Sequence, residues 1–498
     1  MPQPKWYNKS LSELCMDSIV DNMEKWTALR NSEHVSCHFY HLPSHCLEYI
    51  IRCLIEKGRL KEEMLELLIN PHSKVLDLST TYTFVQESDL ERNLQIVRIA
   101  SVRCSQLTTL KIGGYHDDSV KILEDDIFFS MLQLFEHLQV LDLSYSTYGA
   151  SCMQSLGATR KPILRELLVD CCPNVTDTVM LEFCIGQRSL YKLSFRRTAV
   201  TSVGIKFAIE HLTELKEIAF DEEHNILKIF RDIHNESRES KKYSFTMLSI
   251  PRYVPYDKGG ISLMVSMCPA LVHLVMHTIE GITDVELLGF RELKQIKSLI
   301  YFPGSFLTFP FHGGVVPILR VHGYSLECLH LPPVPSGKVH LIIECCPNIR
   351  RLYLSIEDRP SDIAEQEEDL RSHEAAPLRM LETLVLLSST YISPFVISPE
   401  ILVFLLSSPA LTILTIWNCH TLTDQIIEKA CARNTFKDLT KLEFLNCRNV
   451  NQKGIDFFMN EMNPLSRIIL ERCGDLDILR LKEMAKEKNW NQVQVLNH

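Results

Sequence analysis

The sequence predicts an α/β repeat solenoid preceded by a small all-α unit. Three observations carry that reading. A short L-x-x-L-x-Φ pattern, with Φ apolar, recurs from Leu76 to the end of the chain at spacings of about 23–32 residues. Four copies carry a cysteine at the same offset behind the pattern: Cys172, Cys419, Cys447 and Cys473. The stretch before Val75 lacks the pattern and shows helical spacing of its apolar residues instead.

The first element is a helix over Ser10–Val20. Ser10 and Glu13 form a Ser-x-x-Glu capping box, in which each side chain satisfies an orphan amide donor of the first turn. Leu11, Leu14, Cys15 and Ile19 follow at spacings of three and four and share one face. Residues 21–41 are polar and read as irregular. A second helix opens at Leu42-Pro43, with Pro43 in the first helical position, where its missing N–H costs nothing. Leu47, Ile50, Ile51 and Leu54 line its apolar face. A third helical stretch, Leu60–Ile69, ends before Asn70-Pro71. Residues 1–70 therefore read as one helical unit and 75–498 as about 15 repeats, each a short strand with alternate residues pointing inward and a return segment.

Stacking is what such a repeat needs, because one unit cannot bury its own apolar face. The expected product is a horseshoe with strands on the concave side. LRELLVDCCPNVTD (Leu164–Asp177) and LTILTIWNCHTLTD (Leu411–Asp424) share L-x-x-L-x-Φ-x-x-C-x-x-Φ-T-D. The pairs Thr176-Asp177, Thr283-Asp284 and Thr423-Asp424 stand where they can cap the return helix. Three interruptions stand out: a charged one near 221–242, an aromatic and glycine-rich one near 303–324 (Phe306, Phe309, Phe311, Gly313, Gly314), and an acidic one near 357–376.

Composition excludes several classes. A net charge of −10 is the wrong sign for a nucleic-acid or anionic-membrane surface. No apolar run reaches the roughly 18 residues of a spanning helix. MPQPKWYNK has no signal-peptide core, so a cytoplasmic or nuclear location is expected. The 17 cysteines are odd in number and scattered, without a C-x-x-C pair, and read as reduced, buried thiols. No phosphate loop, nucleophile elbow, metal-binding helix motif or kinase set is present, so no catalytic residue, metal or cofactor is expected. The pairs Cys171-Cys172 and Cys345-Cys346 read as core rather than nucleophiles, since no base is placed beside them.

The repeats resemble the cysteine-containing class of leucine-rich repeat. The front end resembles a bipartite adaptor motif. Ser10, Leu11, Cys15 and Ile19 fill the fixed positions of an elongin-BC box, Ser/Thr-Leu-x-x-x-Cys-x-x-x-aliphatic. Leu42 and Pro43, with Leu47 and Ile50 behind them, resemble the cullin-2 element that follows it in a von Hippel–Lindau box. The layout is most similar to the Zyg-eleven and Zer-one group. That resemblance implies an adaptor face at Ser10, Leu11, Leu14, Cys15 and Ile19 and a cullin-2 face at Leu42, Pro43, Leu47 and Ile50. It implies a substrate receptor of an elongin B/C–cullin-2 ubiquitin ligase, with a protein substrate held by the repeats. The group carries an armadillo-type domain that reads N-terminal glycine; here the repeat pattern runs to the last residues, so that specificity is not carried over.

Two other readings stay open. LPSHCLEYIIRCLI also resembles the opening of an F-box, which would dock a Skp-type adaptor and cullin-1. The later Trp-bearing helix of an F-box is missing, with no Trp between Trp26 and Trp417. Alternatively the chain is a scaffold or inhibitor whose front helices only cap the repeats. Exposure separates this last reading: a cap buries Leu11, Cys15 and Ile19, whereas a docking helix leaves them uncovered.

Overall fold

In the computed structural model the described residues are 10–29, 33–79, 87–112, 125–236, 241–251, 258–277, 282–302, 311–357, 378–389, 393–459, 465–487 and 492–496. They fall into two compact units, one ending at Phe245 and one beginning at Thr246.

The first unit opens with five helices: α1 (Leu11–Asp21), α2 (Met23–Ala28), α3 (Glu33–Tyr40), α4 (Ser44–Glu56) and α5 (Glu62–Leu68). The capping box forms as the spacing predicts. Ser10 Oγ accepts from Glu13 N at 3.2 Å, and Ser10 N donates to Glu13 Oε2 at 2.7 Å. Pro43 sits one position earlier than expected, as the residue preceding α4 rather than in its first turn. Residues 21–41 are not irregular. Asn22 ends α1 and starts α2, and Met23, Thr27, Val35 and Phe39 are buried, with the Trp26 and Phe39 rings edge to face, their centroids 6.3 Å apart. The i, i+4 pairs Met23/Thr27 and Val35/Phe39 were the helical signal, set among enough polar residues to hide it.

Six strands follow in this unit: β1 (Val75–Asp77), β2 (Thr109–Lys111), β3 (Val140–Asp142), β4 (Glu166–Leu168), β5 (Lys192–Ser194) and β6 (Glu217–Ala219). Each is parallel to the next, in chain order. The second unit holds ten more: β7 (Met247–Ile250), β8 (His273–His277), β9 (Ser298–Phe302), β10 (Cys328–Pro335), β11 (Arg351–Glu357), β12 (Thr383–Ser388), β13 (Ile413–Trp417), β14 (Lys441–Leu445), β15 (Arg467–Glu471) and β16 (Gln492–Leu496). They too pair in order and in parallel. The sixteen strands among the described residues all lie on recurrences of the sequence pattern. Both units are leucine-rich-repeat solenoids, α/β in class, with one short strand per repeat and, in most repeats, a helical return.

The pattern's second leucine is the core contact. Leu110, Leu141, Leu167, Leu193, Leu274, Leu352, Leu384, Leu414 and Leu442 are fully buried. Burying such a side chain contributes about 1.5–3 kcal/mol. The residue before the repeat cysteine turns left-handed: φ is 58° at Cys171, 60° at Asn418, 55° at Asn446 and 49° at Arg472. Its N–H then points to the next repeat, as in Asn418 N to Leu445 O and Asn446 N to Glu471 O, both 2.7 Å. The cysteines that follow turn inward. Cys172 Sγ donates to Leu143 O at 3.3 Å and Cys447 Sγ to Ile416 O at 3.5 Å, each a carbonyl of the preceding repeat. Cys473, near the last strand, is only half-buried.

The Thr-Asp pairs work differently from the prediction. Only Thr423 caps its own helix, accepting from Ile426 N at 3.3 Å; Thr176 and Thr283 make no such bond. The aspartates instead clamp the following repeat. Asp177 accepts from Thr201 N (2.8 Å), Thr201 Oγ1 (2.6 Å) and Gly204 N (3.0 Å). Asp424 accepts from Asn451 N (2.8 Å), Asn451 Nδ2 (3.1 Å) and Gly454 N (3.1 Å). A glycine faces each carboxylate because nothing larger fits: a Cβ would meet Asp177 Oδ1 at 2.5 Å from Gly204 and Asp424 Oδ1 at 2.4 Å from Gly454.

The charged interruption near 221–242 holds a return helix, Ile226–Glu236, with Ile226, Leu227, Ile229, Phe230 and Ile233 buried. In the aromatic interruption Phe311 and Gly314 are buried in a short π-turn leading into the helix Val316–His322. Phe306, Phe309 and nearly all of the acidic interruption lie outside the described residues. Among the described residues no helix is long and apolar enough to cross a membrane.

Candidate functional site: the outer face of the first helix

The five helices divide the labour of capping and display. α4 packs on β1, and α5 packs on the helix Glu87–Arg103 behind it. Leu47, Ile50, Ile51 and Leu54 of α4 are all buried, as are Met64, Leu65, Leu67 and Leu68 of α5. Ser44 Oγ accepts the backbone N–H of Lys74 at 2.9 Å, tying α4 to the entry of the first strand. These two helices shield the apolar end that an open repeat array would expose.

α1 lies on α4 and faces the other way with its remaining surface. Its inner side is Met16 and Val20, buried, flanked by Glu13 and Asp17. Asp17 Oδ1 accepts from the Tyr49 hydroxyl at 2.9 Å, and Asp21 Oδ1 from Lys57 Nζ at 2.8 Å. At 100° per residue the opposite side carries Leu11, Cys15 and Ser18, with Leu14 and Ile19 on its shoulders. The exposures match: Leu11 is 78% exposed, Cys15 and Ser18 are exposed, and Leu14 and Ile19 are half-buried. α1 is thus apolar on two sides, and only one of them is used inside the chain. The uncovered side is not the pattern of a cap.

The second predicted segment divides. Pro43 is exposed and Leu42 half-buried at the turn before α4, but Leu47 and Ile50 are 1% and 0% exposed. Leu47 and Ile50 cannot touch a partner without unpacking α4, so their assignment as cullin contacts is corrected to core. The reason is periodic: the apolar stripe that marked α4 in the sequence is the stripe the fold itself needs. What α4 offers outward is His45, Glu48, Tyr49, Arg52 and Glu56, which line two open grooves against α1 of about 440 and 480 Å³. Sequence reading passed over these residues because polar helix faces carry no periodic signal.

Comparisons with known proteins give distant alignments alone. No family model matches the chain, and no curated protein matches it. A crystal structure of the complex of Rad7 and Elc1 in yeast aligns over 90% of this chain and 96% of its own, at 13% identity and a TM-score of 0.32. A crystal structure of a TLR13–ssRNA13 complex aligns over 86% of this chain at 12% identity and a TM-score of 0.36; this chain spans 65% of that one.

Proposed function

We propose that this protein is a substrate receptor of a cullin–RING ubiquitin ligase, joined to elongin B/C through α1 and to cullin-2 through the Leu42-Pro43 turn and the polar face of α4. The observation that carries the reading is Leu11, 78% exposed at the start of a capped helix whose other side buries Met16 and Val20. An exposed leucine one residue after the helix cap, followed by Cys15 and Ile19 on the same open side, suits insertion into an apolar groove of a partner. Cys15 is small enough to let the partner's backbone approach. The repeats hold a protein substrate on their strand face, and the chain contributes no catalytic residue.

The test is co-purification from cells. The full chain is expected to recover elongin B/C and cullin-2 and not a Skp-type adaptor. Cys15→Phe, placed on the open side, abolishes recovery while leaving thermal unfolding unchanged. Recovery of a Skp-type adaptor with cullin-1, or of neither adaptor, overturns the proposal in favour of the F-box-like or the scaffold reading respectively.

A further inference from the structure

The strands differ in what they show on the side away from the core; β14 and β15, for example, pair Glu443 with Lys441 and Arg467. In the first unit that side is charged and self-paired: Lys111 Nζ lies 3.1 Å from Asp77 Oδ2, and Lys192 Nζ lies 3.0 Å from Glu217 Oε2. Across β8–β12 the outward positions are mostly apolar, aromatic or histidine, His273, His277, Phe302, His330 and Tyr353 among them, with Arg351 at the start of β11 and Glu357 at its end. Apart from that last residue of β11, none is a carboxylate.

Register builds two rows from these side chains. Val275, Ile300, His330, Tyr353 and Val385 stand directly beside one another from strand to strand, as do His277 and Phe302 and, further along, Ser355 and Leu387. β10 slips register between Leu331 and Val334, so the second row has a gap there. The Phe302 ring reaches across to the first row. It stacks on His277 at 5.0 Å and meets His330 edge-on at 5.0 Å, and His330 lies 5.6 Å from Tyr353. Four rings form a continuous ladder over β8–β11, and Phe302 remains 36% exposed. Burial lowers the His330 pKa below the ordinary imidazole value, which keeps the middle of the ladder apolar.

Charge defines one edge of the ladder. Lys297 is paired with Glu327 at 2.8 Å and Arg350 with Glu382 at 2.5 Å. Arg351, beside Cys328 in register and two residues before Tyr353, is exposed and makes no ion pair among the described residues. The first row spans the four gaps between five strands at about 4.8 Å each, roughly 19 Å, which is the reach of about six extended residues.

We infer that the outward face of β8–β12 binds an extended protein segment that lays apolar side chains along the Phe302–His330–Tyr353 ladder and sets a carboxylate on Arg351. Aromatic rings give contact area at little conformational cost, and a guanidinium without an ion pair among the described residues can take a carboxylate in a fixed geometry. The segment would be the recognition element of the substrate, and in that respect the inference rests on the receptor reading above.

A phage-displayed library of random twelve-residue peptides, selected on the full chain, tests it. Recovered peptides are expected to join aliphatic or aromatic residues to Asp or Glu. Synthetic copies should bind Phe302→Ser and Tyr353→Ser at least about tenfold more weakly, with thermal unfolding unchanged. Arg351→Glu should turn the selection towards Lys and Arg. No enrichment, peptides without acidic residues, or equal binding to the three variants overturns the inference. Leu11→Ser separates the two ideas: peptide binding that persists there while elongin capture is lost supports both. Elongin capture without peptide binding overturns the ladder alone, and peptide binding without elongin capture by the wild type overturns the ligase reading alone.

Discussion

Replacing Asp424 by Ala removes one clamp between consecutive repeats and leaves the fold's apolar contacts alone. Three donors lose their acceptor: Asn451 N, Asn451 Nδ2 and Gly454 N. A hydrogen bond to a charged group contributes about 1.5–3 kcal/mol when buried. This one is half-exposed, so water replaces part of each bond, and a total loss of roughly 2–3 kcal/mol is expected. Asp424→Asn keeps one acceptor oxygen and should lose about half of that. Urea unfolding followed by tryptophan emission suits the measurement, because Trp417 lies in the strand of the same repeat; the midpoint should fall while the slope holds. A second mutation sharpens the test. Gly454→Ala drives a Cβ to within 2.4 Å of Asp424 Oδ1, so it should be costly in the wild type and much less so once Asp424 is Ala. Additive effects of the two substitutions, or an Asp424→Ala midpoint equal to wild type, would refute the clamp.

Leu11→Ser should leave the thermal midpoint unchanged because the side chain is already in solvent, whereas Val20→Ser, at 0% exposure, should lower it by several degrees; calorimetry on the two variants checks the contrast. Gly186→Ala should destabilise the first unit strongly, since its Cβ would lie 2.0 Å from the carbonyl oxygen of Gly157 on the preceding return helix, and limited proteolysis should then cleave that unit first. Alkaline pH should weaken the fold. Burial pushes the thiols of Cys172, Cys431 and Cys473 up to about 11 and that of Cys184 to about 12. A raised folded-state value means their contribution is complete below the unfolded thiol range, declines as pH rises above about 9 and is gone once pH passes about 11–12, so urea midpoints should fall between those limits. Constant midpoints from pH 8.5 to 11.5 would contradict this.

Much of the fold was legible because one repeat reports on the next. The sixteen strands among the described residues stood at recurrences of a leucine-rich pattern in which Ile, Phe or Val replaces some leucines, since a buried strand needs an apolar side chain wherever the core needs filling. The front of the chain was legible in part. Ser10 and Glu13 announce α1 by local chemistry alone. Leu47 and Ile50 were assigned to a partner because an apolar helical stripe looks the same whether another chain or the chain's own first strand covers it. Leu11 and Leu47 are both leucines in amphipathic helices, yet one is in solvent and the other is core. Only tertiary packing separates them. The aspartates were seen at the right positions and given the wrong neighbour, because Asp177 and Thr201 are 24 residues apart and no local pattern links them. The ring ladder was invisible for the same reason: His277, Phe302, His330 and Tyr353 meet only through strand register.

The clamps have a consequence for how the chain is made. Asp177 leaves the ribosome well before Thr201 and Gly204, and Asp424 before Asn451 and Gly454. At those points during synthesis the newest repeat carries a carboxylate whose donors have not yet emerged. Each repeat is finished by its successor, so assembly there runs in the direction of translation. A ribosome stalled or a message truncated just past Asp177 or Asp424 would leave a last repeat with its acceptor unfilled, a chemical mark that distinguishes an incomplete chain from a finished one.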